Sequence, residues 1–209
     1  MRADGLGEAV RLTESPNVQF PFSFSPDGKR LAFTEVNPQT SYDLGILPLD
    51  EVESDHPKAG KTETFLLTPF AESGPMISPD VRWVAYHTNE SESGEVYVRR
   101  FPGPGGKRQI STGGGDWPVW SKKGSELFYK SREGMMVASY TTNGEAFVAS
   151  KPRLWAETKN GGRLFDLAPD GKRFAIVREE ASDRKGPPHV VFLLNFFDEL
   201  RRRAPVGGK

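Results

Sequence analysis

Residues 22–34 read F-S-F-S-P-D-G-K-R-L-A-F-T. Apolar residues alternate on both sides of the tetrapeptide S-P-D-G at 25–28, as they do in two short strands of a hairpin. Pro26 presets φ for the first corner of a turn, Asp27 can accept hydrogen bonds from its own backbone, and Gly28 tolerates a positive φ. The stretch therefore predicts an antiparallel β-hairpin.

The same hairpin returns three more times, at a spacing of roughly 40–50 residues, and two further short strands follow most copies. The residues that open the four turns are Ser25, Ser78, Ser121 and Ala168. This combination predicts an all-β fold, a β-propeller of about four four-stranded antiparallel blades. The alternative, a β-sandwich with similar hairpins, predicts no fixed period. The predicted structural turn residues are Asp27, Gly28, Asp80, Gly124, Asp170 and Gly171.

The repeat predicts a single domain over residues 1–209. Its blades cover about 14–68, 69–112, 113–157 and 158–205. The last copy has a third strand at 190–194, but its fourth is replaced by residues 195–203, which read as a short helix. The apolar run 9–13 reads as an unpartnered strand, so we expect it to close either the last blade or one of a second chain. The first case gives a four-bladed monomer and the second a homodimer.

Composition excludes several kinds of partner and chemistry. The 28 Lys and Arg residues balance 28 Asp and Glu residues, which argues against binding nucleic acid through an overall charge. There is no Cys, and no apolar run reaches the length of a membrane-spanning helix. The start of the chain lacks the apolar core of a signal peptide. We expect a soluble protein without membrane insertion, and the sequence does not fix its compartment.

The repeated S-P-D-G hairpin resembles the WD-like repeat of TolB-type β-propellers. Residues 77–140 and 165–205 are similar to the C-terminal propellers of some bacterial serine/threonine protein kinases. The resemblance implies a propeller that acts as a sensor or a scaffold. If it is part of a kinase that is anchored in a membrane, the resemblance also implies that the propeller lies outside the cytoplasm. The chain departs from the pattern at Val81, where Gly is expected, and at Lys122–Lys123, where the Asp is missing. We expect Val81 to take a different turn geometry. The chain shows neither a kinase phosphate loop nor an H-R-D motif.

Candidate site residues follow from the propeller prediction, because the loop that enters each inner strand lies at one mouth of the channel. Counting five residues back from each turn gives comparable positions. The predicted ligand-binding residues are Phe20, Ser73, Asp116 and Arg163, with Trp117 beside them as an aromatic anchor. Packing between blades is the competing interpretation for Trp117 and the favoured one for Trp120.

Catalysis has little support in the sequence. His56, His87 and His189 lack metal-ligand spacing, and there is no G-x-S-x-G nucleophile motif. The loop 113–115 is Gly-rich, but no helix follows it that could hold a phosphate. The sequence thus predicts no catalytic residues, no metal and no cofactor. The favoured function is a non-catalytic module that binds a protein, peptide or small ligand. The alternative is a lactonase-like or lyase-like propeller enzyme with a metal in its channel.

Overall fold

The computed structural model describes residues 9–50, 58–103, 105–158 and 164–177, and all regular elements in these ranges are β-strands. The first sheet contains β1 (Gln19–Phe24), β2 (Arg30–Asn37), β3 (Ser41–Asp50), β4 (Lys58–Ala59) and β5 (Glu63–Leu66). The second contains β6 (Glu72–Ile77), β7 (Trp83–Thr88), β8 (Glu95–Arg100) and β9 (Lys107–Gln109). The third contains β10 (Asp116–Trp120), β11 (Glu126–Lys130), β12 (Gly134–Asn143), β13 (Ala146–Ala149) and β14 (Arg153–Glu157). The fourth contains β15 (Leu164–Leu167) and β16 (Phe174–Val177).

Each sheet is an antiparallel meander whose first two strands form the predicted hairpin. In the first three sheets the chain continues to a third strand and then to a fourth on its far side, which are β5, β9 and β14. The all-β propeller class is therefore confirmed. Two short strands were not predicted, namely β4 and β13, and both pair with the far end of a ten-residue strand.

The chain divides into two compact units, residues 1–178 and 179–209, and all described residues belong to the first. The predicted strand at 190–194 and the predicted helix at 195–203 lie outside the described residues. The single-domain assignment and the blade limits stay predictions. In the described part of the chain, no helix is long and apolar enough to cross a membrane.

The sheets pack face to face through apolar side chains that alternate along the strands. Ala32 and Ile46 of the first sheet pack against Ile77 and Val84 of the second. The second sheet packs on the third through a cluster that includes Trp83, Val98, Trp120 and Leu127. Leu167 of the fourth sheet packs on Phe128 and Val137 of the third. These contacts bring the four inner strands, β1, β6, β10 and β15, side by side.

All four turns lie where the repeat predicts them, and no helix crosses any of them. In each, the backbone N–H of the first residue donates to the carbonyl five residues later, at 2.8–2.9 Å. Gly28 and Gly171 have φ angles of 71° and 69°. The expectation that Val81 takes a different geometry is wrong, because its φ is 57° and its N–H donates to the Ser78 carbonyl at 2.9 Å. Gly124 is the exception, since its φ lies outside the left-handed region.

Residues 9–13 do not form the predicted strand. Leu12 instead packs on Phe33, Leu47 and Leu49, which form the face of the first sheet turned away from the second. That face is apolar, and covering it removes its surface from water, which favours this position for the segment. The predicted pairing of the segment with 190–194 concerns residues outside the described ones.

Candidate functional site

The predicted site residues lie at the N-terminal ends of neighbouring inner strands. Phe20 is the second residue of β1, Ser73 the second of β6, and Asp116 and Trp117 open β10. Arg163 lies outside the described residues. Phe20 is 46% exposed, whereas Asp116 and Trp117 are partly buried. The structure brings one of these residues across to another blade, because the ring of Trp117 lies 6.2 Å from the ring of Phe22 on β1.

A cavity of about 580 Å³ lies at the opposite, C-terminal ends of the inner strands. All four described sheets contribute to it. Its lining comprises Phe22, Ser23, Phe24, Ser25 and Pro26 of the first repeat, Met76, Ile77 and Pro79 of the second, Val119, Trp120 and Lys122 of the third, and Asp166 and Leu167 of the fourth. Phe20, Ser73, Asp116 and Trp117 do not line it. The volume falls in the range of small-ligand pockets, roughly 300–1,000 Å³.

Hydrogen bonds between neighbouring inner strands hold the wall of this cavity in place. The indole Nε1–H of Trp120 donates to the carbonyl of Met76 at 2.8 Å. The backbone N–H of Ile77 donates to the hydroxyl of Ser23 at 3.2 Å. Trp120 is only 5% exposed and packs between the second and third sheets, which confirms the packing interpretation for this residue. Two of the lining side chains, those of Trp120 and Ser23, therefore have fixed partners in neighbouring sheets.

Phe24 is the aromatic residue that the cavity wall leaves uncovered. It directly precedes the first turn, and Ile77, Trp120 and Leu167 hold the equivalent positions in the other repeats. Those three are 5%, 5% and 7% exposed because each packs back on the preceding sheet, whereas Phe24 is 61% exposed. Among the described residues no sheet precedes the first. A large apolar surface therefore faces the cavity and is free to contact a ligand.

Two exposed charged residues give this apolar cavity a polar edge. Lys122 stands in the third turn, at the position that proline occupies in the other three turns. Asp166 lies on β15, two residues before the fourth turn, where the other repeats have Ser23, Met76 and Val119. A few charged groups in a mainly apolar pocket orient a ligand.

A second hollow of about 440 Å³ contains the predicted residue Asp116 together with His87, Lys130 and Arg132. Beside it lies Glu95, which is only 2% exposed. Burial alone would raise the pKa of Glu95, but hydrogen bonds from the Ser111 hydroxyl and the Gly114 amide outweigh it and lower that pKa. The Gly-rich loop thus binds a carboxylate of its own chain.

The turn carboxylates act as the sequence predicts. Asp27 Oδ1 accepts the backbone N–H of Lys29 at 3.1 Å, and Asp170 Oδ1 accepts that of Lys172 at 2.9 Å. The described residues contain no group of three or more His, Cys, Asp or Glu side chains placed to hold a metal ion. His87 lines the second hollow, and His56 and His189 lie outside the described residues.

The solved structures that are similar to this chain include two described as TolB and one described as a 6-phosphogluconolactonase. A TolB candidate from Agrobacterium tumefaciens is 18% identical, with a TM-score of 0.46 over 65% of this chain and 50% of that one. A 6-phosphogluconolactonase candidate from Bacteroides uniformis is 20% identical, with a TM-score of 0.49 over 77% and 48%. TolB from Acinetobacter baumannii is 19% identical, with a TM-score of 0.42 over 74% and 41%.

The chain therefore spans about half the length of these structures or less. No protein-family model matches the chain, and no curated protein does.

Proposed function

We propose that the protein is a non-catalytic binding module that takes an apolar segment of a protein or peptide into the cavity at the C-terminal ends of the inner strands. The observation that carries the proposal is Phe24, whose ring is 61% exposed and lines a cavity that also contains the buried Trp120. Aromatic side chains in such positions dominate binding energies.

The charges at the edge of the cavity support a peptide as the ligand. Lys122 offers an ammonium group and Asp166 a carboxylate, and both are exposed. A peptide presents apolar side chains together with charged termini and side chains, so it can fill the apolar part and pair with either group. Of the ligands that the sequence suggests, a protein, a peptide or a small molecule, these charges favour the first two.

The resemblance of the S-P-D-G repeats to kinase-linked propellers suggests a setting for such a module. We propose that ligand binding at the cavity serves as the sensing step of a kinase-type regulator. In that case, adding the ligand to a longer protein that contains both this propeller and a kinase domain should change the rate of autophosphorylation. An unchanged rate with the cavity saturated would contradict this setting.

Peptide selection from a displayed random library tests binding directly. We expect selected peptides to carry an aromatic or large aliphatic residue, and their affinity to fall about tenfold or more in Phe24→Ser, because the lost apolar contact is worth about 1.5–3 kcal/mol. Val148→Ser is the matched control, since Val148 is 58% exposed on β13 and does not line the cavity. Equal affinities for both variants would contradict the proposal.

Metal analysis of the purified protein separates this function from the alternative propeller enzyme. Stoichiometric metal bound at Asp166, together with hydrolysis of a lactone that Asp166→Asn abolishes, would favour the enzyme. A metal-free protein would favour the binding module if its selected peptides compete with one another for the cavity.

A further inference from the structure

The inner strands of the first three sheets share an irregularity at one place. The pairing register shifts between Pro21 and Ser23 in β1, between Ser73 and Met76 in β6, and between Asp116 and Val119 in β10. Such bulges bend a strand and re-aim its side chains, and they often place one residue in the left-handed region. The repeat therefore includes a bulge as well as a turn.

The second and third sheets fill the left-handed position of this bulge very differently. Gly74, four residues before its turn, has a φ of 64°, and Trp117 at the equivalent place has a φ of 52°. Glycine adopts this conformation without steric cost, whereas a bulky residue is strained there. Strained residues persist where the surrounding structure holds them, and they cluster at functional sites.

The strained backbone directs the indole of Trp117 toward another blade. The backbone N–H of Trp117 donates to the side-chain Oδ1 of Asp116 at 2.8 Å, which helps to fix the bulge. Its ring meets that of Phe22 at a centroid distance of 6.2 Å, so the two rings join β10 to β1. Gly74 lies beside Phe22 on β6, where an added Cβ would make an ordinary contact with that ring at 3.9 Å.

Phe22 connects the aromatic pair to the cavity, because it both contacts Trp117 and lines the cavity wall. We propose that the Phe22–Trp117 pair closes the inner end of the cavity, and that Trp117 thereby limits the length of the apolar group that the cavity accepts. This inference rests on the proposed binding function. It makes Trp117 a specificity-determining residue, although it does not line the cavity itself.

Linear alkanoates of increasing length, from butanoate to hexadecanoate, measure the depth of the cavity by calorimetric titration. In the unmodified protein, affinity should rise about fourfold per methylene until the chain reaches the aromatic pair, and then level off. In Trp117→Gly the rise should continue over further methylenes. Glycine suits the positive φ, so this variant should remain folded, and its melting temperature checks that it does.

Two further variants make the result specific. Phe22→Leu shortens the other member of the pair and should also move the limit to longer chains. Phe20→Ser changes an exposed aromatic residue on the same strand that does not line the cavity, and it should leave the limit unchanged.

The outcomes distinguish a failure of this inference from a failure of the proposed binding function. Binding that depends on Phe24, with the same length limit in Trp117→Gly as in the unmodified protein, would overturn the inference and leave the binding function standing. If no alkanoate binds, or if alkanoate binding ignores Phe24→Ser, the inference is wrong, whereas the binding function stands or falls with the selected peptides.

Discussion

The second and third turns differ in which residue type takes the left-handed conformation, because a valine adopts it in the second turn and the glycine of the third turn does not. Val81 has a φ of 57°, whereas the φ of Gly124 lies outside the left-handed region. The sequences differ one residue earlier, where the second turn has Asp80 and the third has Lys123. Asp80 Oδ1 accepts the hydroxyl of Ser78 at 2.6 Å and the backbone N–H of the residue after Val81 at 3.2 Å.

The third turn has no carboxylate to make these bonds. The N–H of Gly124 donates to the Ser121 hydroxyl at 3.1 Å, where in the second turn the N–H of Val81 reaches the carbonyl of Ser78 at 2.9 Å. The turns also differ at Pro79 and Lys122, and we infer that the aspartate favours the left-handed conformation of the following residue even when that residue is β-branched.

Removal of the carboxylate should have the largest effect. We expect Asp80→Ala to lower the free energy of unfolding by about 2 kcal/mol, because two hydrogen bonds are lost while the strain at Val81 stays. Lys123→Ala, the matched change in the third turn, should stay within about 0.5 kcal/mol of the unmodified protein. Urea denaturation measures both. Equal losses in the two variants would show that the aspartate is not what distinguishes these turns.

When the two turn glycines are each replaced by alanine, the losses in the free energy of unfolding should differ by about 1 kcal/mol. Gly28→Ala places a Cβ at a φ of 71° and should cost about that amount. Gly124→Ala should be nearly neutral, since its φ is ordinary and the nearest atoms would be 3.6 Å from the new Cβ. Thermal melts of the two variants test this difference, and a larger loss at Gly124 would contradict the assigned geometries.

Relief of the strained valine should give a smaller gain. Asparagine tolerates the left-handed region better than valine, so Val81→Asn should raise the free energy of unfolding by about 0.5 kcal/mol. Val81 also packs partly against the core between the first two sheets, which limits the gain. Chemical denaturation measures this change. The control is Val36→Asn at a partly buried strand position, where the free energy of unfolding should fall. A loss in Val81→Asn as large as the control's would mean that Val81 is not strained.

Acid should weaken the first turn but not the third. Hydrogen bonds from the Ser25 hydroxyl and the Lys29 amide lower the pKa of Asp27 below its ordinary value of 3.8. The stabilisation from Asp27 is therefore complete above that ordinary value and is lost as the pH falls through the lowered one. The free energy of unfolding, measured as the pH falls from above 3.8, should depend less on pH in Asp27→Asn than in the unmodified protein. An unchanged dependence would exclude Asp27 as a contributor.

The sequence predicted what depends on local chemistry. The position of all four turns followed from S-P-D-G and its variants, and the fourth strands β5, β9 and β14 followed from alternation and spacing. The geometry at Val81 was missed because intrinsic preference argues for glycine, whereas the turn around Val81 is held by hydrogen bonds to Asp80. Residues 9–13 alternate like a strand, yet the uncovered face of the first sheet determines where they lie.

The candidate site was harder to predict because exposure depends on neighbours in space. Phe24 and Trp120 hold equivalent positions in the repeat, but Trp120 has a preceding sheet to pack on and is buried. Comparison of equivalent positions could have singled out Lys122, which replaces proline. No sequence signal places the Trp117 ring against Phe22, because that contact needs the bulge in β10.

Two residues of β1 test whether ligands bind at the C-terminal ends of the inner strands. Phe24 lies at that end and Phe20 at the other, and both are exposed aromatic residues on one strand. Titration of one selected peptide against Phe24→Ser and Phe20→Ser should show about a tenfold or greater loss of affinity in the first and no loss in the second. A loss confined to Phe20→Ser would place binding at the N-terminal ends and contradict the account.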